Sequence, residues 1–147
     1  QFAPDVSVTG GMVVAVLARM ANVDISEYEN DTIGSGSLWY APYVNWAKKA
    51  GLLDGIDFDA ASEISRENMG MILVRFMDYV GADYSTSGAD VEFIDEDQIS
   101  VDARPYMQTL TKLRVFRGRG NSILDPLSLT TRAEFAALAH RIYAIIK

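Results

Sequence analysis

Leu129-Thr130-Thr131-Arg132-Ala133-Glu134-Phe135 decides how the chain is read. Thr131 and Glu134 stand three residues apart as a capping box, in which each side chain takes a backbone N–H of the first helical turn, so a helix opens here and runs towards the C-terminus. The same text recurs upstream. Ile64-Ser65-Arg66-Glu67-Asn68-Met69 is a second copy, and Val8-Thr9-Gly10-Gly11-Met12-Val13 is a degraded first one. A shift of 56 residues, from Thr9 to Ser65, carries the apolar stripe Val13, Val16, Leu17, Met20 onto Met69, Ile72, Leu73, Phe76. A further shift of 66 lands on Phe135, Leu138, Ala139, Ile142, and Arg19, Arg75 and Arg141 obey both shifts. Each stripe has the i, i+3, i+4, i+7 spacing of a helix with one buried face. Residue type, spacing and period agree, which is the signature of an internal repeat.

Working outward, a second kind of helix precedes two of these copies. Pro42 and Pro105 sit at helix starts, where the missing N–H of proline costs nothing. Tyr43, Ala47 and Ala50 form the inner stripe of the first, flanked by Trp46; Tyr106, Leu110 and Leu113 repeat it 63 residues later. Leu52-Leu53-Asp54-Gly55 and Val115-Phe116-Arg117-Gly118 match at the same offset. The three residues separating 63 from 66 therefore fall in the loop from Gly118 to Pro126, because loops absorb insertions. Residues 24–38 and 81–90 are polar and read as surface linkers. The chain divides into 1–24, the second half of a first unit, and two full units, 25–84 and 85–147, all within one compact structure.

Composition narrows the function. A chain of 147 residues with 49% hydrophobic content can bury a proper core. No apolar run approaches the roughly 20 residues that cross a bilayer, which argues against membrane insertion. Cysteine is absent, so neither disulfides nor thiolate chemistry operate. A formal net charge of −7 and a pI near 4.6 argue against nucleic acid as partner. An anionic ligand needs a local basic pocket, and Arg114, Arg117 and Arg119 cluster in one stretch, Lys48 and Lys49 in another. His140, the lone histidine, has no carboxylate or serine partner at useful spacing. Asp54, Asp57 and Asp59 lack the acid order, central glycine and final Glu of an EF-hand, and Asp95-Glu96-Asp97 reads equally well as a solvated loop. No cofactor or metal is expected, and no enzyme assembles from these residues.

The Trp39-Tyr40 helix start, the Gly-Leu-x-x-Gly step at Gly51 to Gly55, the aromatic before a turn, and Thr131-Arg132-Ala133-Glu134-Phe135 together resemble the S-layer homology domain over nearly the whole chain. The resemblance implies an all-α fold of tandem repeats (helix, turn, short extended segment, helix) around a pseudo-threefold axis. Its expected core is a bundle of three helices, about 9–22, 65–80 and 131–146, with the shorter helices 42–50 and 105–113 outside it. It also implies a secreted module at the bacterial cell surface, without catalysis of its own. Such a module anchors cargo or S-layer subunits through a secondary cell-wall polysaccharide that often carries ketal-linked pyruvate. By the same resemblance, Arg66 and Arg132 recognise the acidic sugar, Trp39 contributes from the first helix start, and Gly55 and Gly118 belong to the step before the turn. The physics agrees: an arginine fork at a helix N-terminus suits a carboxylate, and a tryptophan face suits a sugar ring. Two positions depart from the pattern. Gly10 replaces the arginine of the first copy, and Asp102 replaces the tryptophan of the last unit. A module that kept the fold for structural or protein-interaction purposes and lost the sugar is the competing reading. Arg19, Arg75 and Arg141, mid-helix, are expected to pair structurally between units.

Overall fold

A computed structural model describes residues 6–31, 39–84, 92–117 and 123–146. Among them are five α-helices: α1 (Gly10–Met20), α2 (Ala41–Lys49), α3 (Arg66–Tyr79), α4 (Arg104–Lys112) and α5 (Arg132–Ile146). The three long helices open as the repeated text requires. Thr9 Oγ1 accepts from Met12 N at 3.3 Å, Ser65 Oγ from Asn68 N at 3.2 Å, and Thr131 Oγ1 from Glu134 N at 3.1 Å. Only the last copy closes the box, with Glu134 Oε1 accepting from Thr131 N at 3.0 Å. Linker 24–38 is less irregular than expected, because Ile25–Asp31 forms a 3-10 helix against α2, where Asn45 Nδ2 donates to Tyr28 O.

The repeat symmetry is written in the backbone. Val8 N donates to Thr130 O, Thr130 N to Ile64 O, and Ile64 N back to Val8 O, at 2.9, 2.9 and 3.3 Å, closing a ring of three extended segments. A second set runs round the axis in the opposite sense: Gly10 N to Ser62 O, Arg66 N to Ser128 O, Arg132 N to Val6 O. All these positions obey the 56 and 66 offsets, so the ring surrounds a pseudo-threefold axis with Val8, Ile64 and Thr130 buried on it. Its physical purpose is clear. The first N–H groups of a helix find no acceptor in their own helix, and here the neighbouring unit's carbonyls supply it.

Helices α1 and α3 each pack against the short helix of the following unit, α2 and α4, and α3 also touches α5. One continuous core results, including Leu17, Trp46, Ile72, Phe76, Leu110 and Ile142. The predicted stripes face it: Met69, Ile72, Leu73 and Phe76 are all buried, while Val16, Met20 and Ala139 lie at its margin. On α2 the order differs from the predicted one. Trp46 is fully buried with Ala47, and Tyr43 and Ala50 are marginal. Trp46 can go inside because its Nε1–H reaches Tyr79 Oη at 3.2 Å, and a buried indole needs that partner. Along α5, by contrast, Ala136, His140, Tyr143 and Ala144 are exposed, because among the described residues no short helix covers that face.

Candidate anion pocket and sugar cleft

The mid-helix arginines organise the surface between units. Arg75 Nη1 donates to Leu52 O at 3.1 Å and Arg141 Nη1 to Val115 O at 2.7 Å, two bonds related by the repeat offsets. Arg75 also lies over the ring of Tyr106, and Arg19 over that of Tyr43, at 5.4 and 5.2 Å from the centroids. The expected contacts between units are therefore present for Arg19 and Arg75, and Arg75 and Arg141 each also hold a carbonyl within their own unit.

Around Arg141 the chain forms a pocket of about 120 Å³ whose walls include Arg66, Phe116, Arg117 and Glu134. Arg66 is its floor. It is 2% exposed, donates from Nε to Leu124 O at 2.9 Å, pairs with Glu134, and lies over the Phe116 ring at 4.9 Å. Glu134, already capping α5, spends its charge on Arg66. Arg117 is exposed, with Nε held by Arg114 O at 3.0 Å. Among the described residues, neither Arg117 nor Arg141 has a carboxylate partner. Burial, and after it the charge of Arg117, holds the Arg141 guanidinium below the ordinary arginine pKa. Two cations thus face one small cavity on an acidic chain.

The equivalent surface of the second unit is a wider cleft. Asp54, Gly55, Arg75, Asp102 and Tyr106 line about 410 Å³ of it, and Asp54 and Arg75 also border an adjoining 420 Å³ with Asp78 and Tyr79. Gly55 is exposed at φ 72° with nothing near the position of a side chain, so a ligand can approach its backbone. Asp102, standing where the pattern calls for tryptophan, forms part of the wall.

The other sequence-selected residues are spread over the surface. Trp39 is 55% exposed and meets Tyr40 and Tyr43 edge-on, at centroid distances of 5.5 and 6.3 Å, beside Arg19. Arg132 opens α5 half-buried, and Gly118 lies outside the described residues. The anion argument from free helix N–H groups does not hold at Arg66. The N–H groups of Arg66, Glu67 and Asn68 are taken by Ser128 O, Pro126 O and Ser65 Oγ. Any attraction for an anion there comes from side chains. Arg117 had a sequence signal in its basic stretch; its meeting with Arg141 had none, since it depends on tertiary packing.

Acidic residues of the loops are used internally. Asp95, read as part of a solvated loop, is buried and accepts from Leu124 N and Asp125 N at 2.9 and 2.8 Å. The hydroxyl of Ser62, then the N–H of Ala61, lower the pKa of Asp59. No group of three metal-ligating side chains exists among the described residues, and none of their helices is long and apolar enough to cross a membrane.

Comparison with known proteins agrees with the repeat. Over its full length the chain is 29% identical to an amylopullulanase of Thermoanaerobacterium thermosulfurigenes and 26% identical to exoglucanase XynX of Acetivibrio thermocellus. It spans only 8% and 14% of those enzymes, so their names describe much longer chains. The S-layer homology domain pattern matches residues 30–69 and 96–136, more than half of the sequence and one match in each full unit. With these two tandem copies, the chain belongs to the S-layer homology domain family.

Proposed function

We propose that this module holds its parent protein to the bacterial cell envelope by non-covalent binding of an acidic, pyruvate-bearing secondary cell-wall polysaccharide. Attachment at the cell surface is the role of S-layer homology modules, and similarity to parts of two glycan-degrading enzymes accords with it. The observation that carries the finer reading is the pocket of Arg66, Arg117 and Arg141 on a chain of formal net charge −7. A cationic site on an acidic surface is local recognition, whereas a general attraction for polyanions needs net positive charge. Its roughly 120 Å³ suits a carboxylate-bearing substituent better than a whole sugar ring. In this reading the exposed face of Trp39 stacks on a neighbouring ring, the bare backbone at Gly55 admits a further sugar, and Arg132 and Gly118 contribute as the family pattern assigns.

The test is sedimentation with purified cell-wall sacculi. Wild type should pellet with native walls and much less once the pyruvate is removed chemically; Trp39→Ala and Arg132→Ala should each reduce pelleting. Equal pelleting with treated and native walls removes the acidic ligand, and no pelleting with either removes polysaccharide binding altogether. In that second case the module serves structure or protein contacts, a role to which the internal pairing of Arg66 already lends itself.

A further inference from the structure

Asp54 and Arg117 occupy the same place in successive units, 63 residues apart, each beside a repeat-related arginine, Arg75 or Arg141. The two arginines hold equivalent carbonyls, and Arg75 alone also lies over an aromatic ring, that of Tyr106. The charge beside them is inverted. Around Arg75 the cleft carries Asp54, Asp78 and Asp102, so carboxylates outnumber the cation. Around Arg141 the balance is the reverse, because Glu134 is engaged by Arg66 and leaves Arg117 and Arg141 to act together.

We infer that the Asp54/Arg117 position is the charge selector of this module: Arg117 makes the third unit's pocket a receptor for a carboxylate-bearing sugar, and Asp54 restricts the second unit's cleft to uncharged sugars. The proposal rests on the polysaccharide reading for the biological source of the ligand, and on the charge inversion for the selectivity. Arg117 is pre-organised for this work. Its Nε is tied to Arg114 O, which leaves the two terminal nitrogens for a carboxylate, and a held guanidinium fork gives up little freedom on binding. Arg141, tied to Val115 O, is fixed in the same way. In the cleft, Asp54, Asp78 and Asp102 accept from sugar hydroxyls and repel an acid, and Tyr79 adds an exposed aromatic ring. A polymer in which acidic and neutral sugars alternate satisfies both sites at once.

The experiment uses the full chain and two probes, a methyl glycoside bearing a pyruvate ketal and the same glycoside without it, in calorimetric titration with amide NMR to locate binding. Asp54 and Arg117 are both exposed, so their substitutions should leave the fold intact, checked by circular dichroism. Wild type should bind the acidic probe with shifts at Val115, Phe116 and Leu138, and the neutral probe with shifts at Gly55, Tyr79 and Tyr106. Arg117→Asp should weaken the acidic probe tenfold or more and leave the neutral one unchanged. Adding Asp54→Arg to that variant should restore acidic binding, with its shifts moved to the Gly55 cleft. The selector role is overturned if Arg117→Asp binds the acidic probe as wild type does, if Asp54→Arg restores nothing, or if wild type fails to bind the acidic probe. Sacculus sedimentation of the same proteins keeps the two ideas apart. Pelleting without acidic-probe binding spares the wall-binding reading and removes the selector; Arg117-dependent probe binding without pelleting does the opposite.

Discussion

The seam between the second and third units and the seam between the first and second share one backbone and differ in three linked side chains. At the first of these, Arg66 reaches Leu124 O and Glu134. At the other, the equivalent positions are Gly10, Phe58 and Asn68, which line a common pocket. A Cβ on Gly10 would lie 2.6 Å from the Phe58 ring, so that ring fills the space an arginine stem would need. The ring of backbone bonds passes through both seams with the same register. The main-chain symmetry therefore carries the architecture, and the side chains of a seam change as a set: an ion pair over a leucine in one, an aromatic over a glycine in the other.

The strongest way to break this contrast is Arg66→Ala. It leaves Glu134 without its cation and Leu124 O without its donor, and truncating one partner of a buried pair destabilises by about 3–5 kcal/mol. Glu134 is 24% exposed and partly hydrated, which places the expected loss near 3 kcal/mol, read from urea unfolding. In a double-mutant cycle with Glu134→Ala the two losses should fall short of additivity, since the residues are in contact. Additive losses would mean the pair contributes nothing as a pair.

A smaller effect is expected at the other seam. Gly10→Ala should destabilise by about 1–3 kcal/mol, the usual range for forcing atoms into a packed site. The linked change then becomes the sharper test. Gly10→Arg alone should be worse than Gly10→Ala, and adding Phe58→Leu and Asn68→Glu should recover most of the loss by installing at this seam the set found between the second and third units. If the triple variant is no more stable than Gly10→Arg, the two seams differ in more than these three positions.

These seams also explain what the sequence made legible. Capping acts between residues three apart, so Thr9, Ser65 and Thr131 announced their helices, and the observed starts lie within one residue of them. Offsets of 56, 63 and 66 located every equivalent position before any contact was known. The pairing of Arg66 with Glu134 spans 68 residues, and the bond from Ser100 Oγ to the buried Glu67 spans 33; no local pattern encodes such partners. Trp46 was legible as a packing residue, but its partner Tyr79, on another helix, was not. Of the site residues, Gly55 was singled out only by the family resemblance, while the joining of Arg117 to Arg141 required the fold.

The axis offers a test with the opposite sign. Its three equivalent positions are Val8, Ile64 and Thr130, and Thr130 Oγ1 is buried without a hydrogen-bond partner among the described residues. Thr130→Val keeps the shape and removes the orphaned hydroxyl, so it should stabilise by about 1 kcal/mol, or roughly 2–4 °C in Tm for a chain of this size. Val8→Thr should reproduce the penalty. A Thr130→Val variant less stable than wild type would mean that the hydroxyl is satisfied in solution.

The smallest expected effect links the comparison of units to the anion pocket. After α2 the chain turns through Gly51 at φ 79°, and after α4 it turns through Arg114 at φ 63°, with Leu52 N and Val115 N closing equivalent bonds to Ala47 O and Leu110 O. A non-glycine residue in this left-handed region carries about 1–2 kcal/mol of strain, while glycine adds about 0.5–1 kcal/mol of unfolded-state entropy. Arg114→Gly should therefore stabilise the fold by only about 0.5–1 kcal/mol, detectable in a thermal scan. The carbonyl of Arg114 anchors Arg117 Nε, and a glycine there relaxes the turn that aims it. Acidic-probe affinity should consequently fall while stability rises, because strain at a binding segment is retained for the geometry it enforces. If Arg114→Gly raised both, the turn would have no part in positioning Arg117.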